Sequence, residues 1–191
     1  MMSRAAALAA LIALPLPALA ADADGDFGVD GIGRASCEEL TTAIAADETD
    51  KINAFGSWTS GFISATNALS EQTFDVTPWQ SEALTLNLLN TFCGQNPETL
   101  FVNAVGRLIQ TFAPARLTES SQVQVLGEGE DSVRIYVTVL DGVRRALTEA
   151  GYEVAEGPDG LTQALTAFQT DEGIETTGLP DQQTLLELFL R

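Results

Sequence analysis

Four closely spaced aspartates, Asp22, Asp24, Asp26 and Asp30, could gather enough carboxylate oxygens for calcium. An EF-hand loop needs Gly at its sixth position and Glu at its twelfth, and here those positions are Phe27 and Gly33. The aspartates therefore read as solvated charge, and no metal site is expected. Cys37 and Cys93 are the only thiols, and the chain holds no His. Without imidazole there is no Ser-His or Cys-His nucleophile pair and no His-ligated zinc. Glycan cleavage needs an acid poised in a long cleft. The adjacent carboxylates Glu38-Glu39 and Asp171-Glu172 fall instead on segments expected to be exposed turns. The sequence thus points to a non-enzymatic protein with no catalytic residue and no cofactor.

The setting of those cysteines decides their chemistry. The opening "MMSRAAALAALIALPLPALAADADG" has one Arg, an apolar run and small residues before Ala21, which reads as a signal peptide over 1–20 cleaved after Ala20. The mature chain is then expected in the periplasm, with no membrane insertion, because no later run is long enough to span a bilayer. In an oxidising compartment two thiols pair, so a Cys37–Cys93 disulfide is expected, without the CxxC spacing of a redox site. Losing Arg4 takes the formal charge from -18 to -19. Such a surface repels nucleic acid and anionic headgroups, which removes both as partners.

Helical signals follow an acidic, Gly-rich leader over 21–35 that is expected to be disordered. Ser36 and Glu39 form a capping box, which starts a helix at Cys37. Ile52, Phe55, Trp58, Phe62, Ile63 and Leu69 fall near one face of a second helix, with Trp58 and Phe62 expected in its core. Thr77-Pro78 reads as the start of a third, which ends near Gly94. Asn96-Pro97 opens a fourth that runs to Pro114. Residues 36–113 are therefore expected to be an all-α, four-helix, disulfide-bonded domain.

The segments "SCEEL", "SWTSGFISATNAL" and "LNTFCGQNP" resemble the HdeA-type periplasmic domain, at Cys37, Trp58, Gly61, Asn67, Cys93, Asn96 and Pro97. The resemblance covers roughly residues 35–113. That family is known from acid-stress chaperones and from many exported proteins without assigned roles.

Residues 114–131 are polar and turn-rich and read as a linker. Beyond it, "SVRIYVTVLDGVRRAL" is β-branched, as a strand would be. Yet Val133, Tyr136, Val137, Leu140, Val143 and Leu147 form a helical stripe, and the stretch is taken as helix. A second helix carries Leu161, Leu165 and Phe168. A third, started by Asp181 with Thr184, carries Leu185, Leu186 and Phe189. Between them, "DEGIETTGLPD" is expected to be a loop clamped on a three-helix bundle with a core of Val143, Leu147, Leu165, Phe168, Ile174 and Leu185.

The spacing of Val143, Leu147, Gly151-Tyr152, Asp159-Gly160, "TQALTAFQTDEGI", Gly178 and Thr184-Leu185 resembles the peptidoglycan-binding-like domain found beside many cell-wall hydrolases. The resemblance covers about residues 133–190, but "DGLTQAL" lacks the insertion the family usually carries after its Asp-Gly. It implies a shallow groove that receives wall peptide or glycan, with Tyr152, Asp159, Gly160, Thr162, Gln169 and Gly178 as ligand-binding residues. The structural alternative gives Asp159-Gly160 to a turn, Gln169 to bracing the loop and Gly178 to backbone relief.

Residues 132–191 carry ten acidic and four basic side chains, so only Arg134, Arg144 and Arg145 offer nearby compensation for the carboxylates of a wall peptide. Two functions follow as expectations. One is an exported binding or scaffold protein that associates weakly with peptidoglycan through its C-terminal module and docks other envelope proteins. The other is an acid-activated holdase for unfolded clients. With 27 acidic groups and no His, its charge would swing from about -19 toward +8 mostly between roughly pH 5 and 3.

Overall fold

The computed structural model describes residues 27–190, a mostly helical chain with one disulfide and one two-stranded sheet. The segment read as a signal peptide, its cleavage point, and Asp22, Asp24 and Asp26 lie outside those residues. No helix among the described residues is long and apolar enough to cross a membrane.

Helix α1 spans Cys37–Ala45, and both arms of the Ser36–Glu39 capping box are formed. Helix α2 spans Thr49–Leu69, α3 Glu82–Gln95 and α4 Phe101–Phe112. Two starts differ from the sequence reading. Helix α3 begins four residues after Pro78, because the Ser81 hydroxyl accepts the Leu84 N–H and supplies the cap. Helix α4 likewise begins beyond Pro97, after Leu100. Around these helices Leu40, Phe55, Leu89, Phe101 and Val105 form a core with the Cys37–Cys93 disulfide inside it. Trp58 and Phe62 stack at 5.1 Å and pack against that core, as expected of them.

The leader was expected to be disordered, yet Phe27–Ala35 pack onto α2. Gly31–Arg34 form a 3-10 turn, and Gly33 lies so close to the Trp58 ring that a Cβ there would approach Cζ2 to 2.2 Å. The Trp58 indole N–H donates to the Asp30 carbonyl. Composition cannot show this, because the order comes from one aromatic ring thirty residues away.

The second half is not purely helical. Strand β1, Val123–Leu126, pairs antiparallel with β2, Val133–Tyr136, in the register Val123 to Tyr136 and Leu126 to Val133. Helix α5 begins only at Val137 and runs to Glu149, followed by α6, Pro158–Glu172, and α7, Gln182–Phe189. The helical stripe is real from Leu140 onward. Before it the β-branched preference prevails, because a partner strand lies in the stretch read as linker. That stretch is built rather than slack: the Leu117 N–H donates to the Asp75 carbonyl, and its carbonyl accepts from Phe74 N–H.

Val143, Leu147, Leu165, Phe168 and Leu185 make the second core, with Ile174 half-buried outside it. Each fully buried Leu contributes on the order of 2 kcal/mol. Trp79, from the first half, also packs against this core and lies 5.7 Å from Phe189 and 6.4 Å from Phe112. Phe112 belongs with Ile63 and Val76 to a small third cluster, which shares Leu108 and Ile109 with the first core, so the two main cores meet through it along a seam.

Candidate functional site

Helix α6 places most of the residues that the peptidoglycan-binding resemblance singles out. Its C-terminal half carries Gln169, fully buried. The Gln169 amide nitrogen lies 2.8 Å from Thr184 Oγ1, 2.9 Å from Thr177 Oγ1 and 3.0 Å from the Leu179 carbonyl. Its Oε1 accepts the Gly178 N–H at 2.8 Å. Both threonine hydroxyls pass the chain on, Thr177 to Asp181 Oδ2 at 2.6 Å and Thr184 to Asp181 Oδ1 at 2.8 Å. Each donor thus meets an acceptor, and the series ends on a carboxylate, which only accepts. Gln169 spends its hydrogen-bonding capacity inside the protein. It clamps the loop between α6 and α7.

Gly178 is buried at φ +67°, where a Cβ would lie 2.9 Å from Thr162 Cγ2 and 3.1 Å from Thr166 Oγ1. Glycine is required there by both the left-handed backbone and the close approach. Thr162 is exposed beside it. Asp159 and Gly160 form no separate turn; they lie in the first turn of α6, with Asp159 exposed and Gly160 pressed against the Ala155 carbonyl. Tyr152 sits elsewhere on the bundle, edge-on to Phe168 at 5.6 Å, with its hydroxyl donating to Asp171 Oδ2 at 3.0 Å. Burial and the neighbouring Asp171 carboxylate push the Tyr152 pKa up. The structure therefore gathers Thr162, Gln169 and Gly178; Asp159 and Gly160 sit in the first turn of α6, and Tyr152 is engaged with Phe168 and Asp171 instead.

The open depression in this half has different walls. It occupies about 670 Å³ between α5 and the loop leading into α6. Asp141, Arg144, Arg145 and Glu149 line it from the helix, and Val154–Gly157 line it from the loop. Arg144 is half-buried and Arg145 exposed, and neither guanidinium forms a hydrogen bond or ion pair with a described residue. The first turn of α6 starts at its edge, and no side chain caps it. Arg144 and Arg145 were visible in the sequence as local compensating charge; Arg134 is exposed on β2 and does not line the depression. The loop wall was not visible, because only the fold of Val154–Gly157 brings it opposite α5.

The motif residues of the first half have local structural roles. Asn67 accepts the Val76 N–H and donates to Asp75, and Asn96 donates to the Phe92 carbonyl. Among the described residues, no group of three or more Cys, Asp or Glu side chains could hold a metal ion. No protein-family model, curated protein or solved structure matches the chain.

Proposed function

We propose that this is an exported, non-enzymatic binding protein, periplasmic after loss of residues 1–20. An HdeA-like disulfide-bonded half would be carried by a peptidoglycan-binding-like C-terminal bundle that associates weakly with the wall. One observation carries the reading: Arg144 and Arg145 stand unengaged in an open depression of an otherwise acidic bundle. Wall peptides present free carboxylates, and a guanidinium pairs with these in a planar, bidentate manner. Asp141, Glu149 and Glu156 share the depression, so long-range repulsion keeps the affinity low and makes it salt-dependent. The test is co-sedimentation of the mature chain with purified sacculi. The reading requires retention that R144Q/R145Q abolishes; a chain that stays in the supernatant at both low and physiological salt removes it.

The acid-activated holdase is favoured by a different relationship. Asp75 joins the halves by backbone pairing with Leu117, whose N–H donates to its carbonyl, and its carboxylate lies near the Tyr136 phenol on β2. Asn67 and the Thr77 N–H donate to that carboxylate, and Glu82 lines the same polar cavity. In acid a chain with 27 acidic and nine basic residues would be left with unopposed positive charge, whose self-repulsion would loosen the seam and expose its apolar side chains. Suppression of client aggregation near pH 3 is the measurement, and no suppression at excess protein rejects this reading.

A further inference from the structure

The seam between the two cores is grooved. One part, of about 520 Å³, has Leu88, Phe92 and Leu108 on one side and Leu186 and Leu190 on the other, with exposed Arg107 at its edge. A second part, of about 440 Å³, runs beside Trp79 and Phe189. The two share Thr111, Phe112 and Leu190, so they adjoin as two largely apolar stretches of one seam.

Its charge is the reverse of the protein's. The chain has 27 acidic and nine basic residues, yet no Asp or Glu lines either part, whereas Arg107, Arg116 and Arg145 do. Arg116 is engaged, donating to the carbonyls of Gln72 and Ala113. The guanidiniums of Arg107, in the first part, and Arg145, in the second, have no partner among the described residues. Apolar walls of this size with one or two well-placed charges are what a ligand pocket needs. An unpaired cation at the edge selects an anionic head, and two adjoining apolar stretches select a single flexible chain.

We propose that the seam groove binds a single-chain carboxylate amphiphile of the fatty-acid type. Arg107 takes the carboxylate, and the alkyl chain lies between α4 and α7 toward Trp79. This does not depend on wall binding: Arg145 lines both the depression and the second part of the groove, but R107Q leaves Arg144 and Arg145 in place and so separates the two readings.

Trp79 lines the second part, so it can report the arrival of a chain end. The experiment uses the mature protein with Trp58→Phe, leaving Trp79 as the emitter, titrated below micelle concentrations with a dodecanoate brominated at its terminal carbon. Saturable quenching is expected, with affinity rising about fourfold per added methylene. R107Q should weaken binding roughly tenfold without altering the fold, since the side chain is exposed and unpaired. L190D should weaken it at least as much by setting a like charge in the groove. Calorimetry with unbrominated dodecanoate on the unsubstituted chain guards against a defect of the Trp58 variant. Equal affinity for dodecyltrimethylammonium, an unchanged R107Q, or no saturable signal in either measurement would overturn the proposal. So would a dimer, seen by sedimentation equilibrium, that covers the groove and resists dodecanoate.

Discussion

Gln182, the first residue of α7, holds Ser81, the cap of α3, across 101 residues: the Ser81 N–H donates to Gln182 Oε1 at 2.7 Å. The same side chain donates through Nε2 to the Trp79 carbonyl. One amide thereby satisfies a donor and an acceptor in the loop before α3, and it fixes Trp79 beside Phe189. This clasp and the Asp75–Leu117 backbone pairing join the two halves directly.

Gln182→Ala should therefore loosen the seam more than either core. Losing two partly buried hydrogen bonds costs about 1–3 kcal/mol. Hydrogen exchange should show the Ser81 amide and its neighbours exchanging faster, while amides of α1 stay protected.

Gln169→Leu should be among the most destabilising single changes in the C-terminal half. It strips partners from the Gly178 N–H and the Leu179 carbonyl, at about 2–4 kcal/mol in urea unfolding. Gln169→Glu should be nearly as harmful, because a second carboxylate acceptor replaces the donor that feeds Thr177 and Thr184. A ligand-contacting role would instead leave stability intact and change sacculus retention alone.

Cleaving the Cys37–Cys93 bridge should cost roughly 4 kcal/mol, since it closes a loop of more than fifty residues in the unfolded chain. Both cysteines are fully buried, so reductant should act only after partial unfolding. Urea midpoints with and without reductant, and for C37S/C93S, measure both effects.

Alkali should weaken the fold through its tyrosines. Burial raises the Tyr136 pKa above its ordinary 10.0, with the Asp75 charge and hydrogen bond acting in the same direction; Tyr152 behaves likewise beside Asp171. The fold favours the protonated phenols, so their stabilisation is complete below about pH 10 and is lost as pH rises through the raised values. Thermal midpoints should fall above pH 10 less steeply in Y136F/Y152F than in the unsubstituted chain.

What could be read from the chain alone was local. Ser36 with Glu39 caps α1, Asp181 with Thr184 caps α7, and the Leu140–Leu147 stripe turns its apolar side into the second core. Each of these depends on residues within a turn or two, so sequence spacing states it directly. The disulfide was legible because only two thiols exist. The bracing alternative for Gln169 and Gly178 was legible too, but its partners Thr177, Leu179 and Asp181 were not.

Tertiary structure decided the rest. Val133–Tyr136 became a strand because Val123–Leu126 came to lie beside it, overriding a periodicity that favoured helix. Phe27–Ala35 were ordered by Trp58, the polar connection was anchored by Asp75, and the groove was made by the meeting of α4 with α7. In each case the stabilising partner lies outside the local window, and free energy gained between distant segments leaves no spacing in the sequence to read.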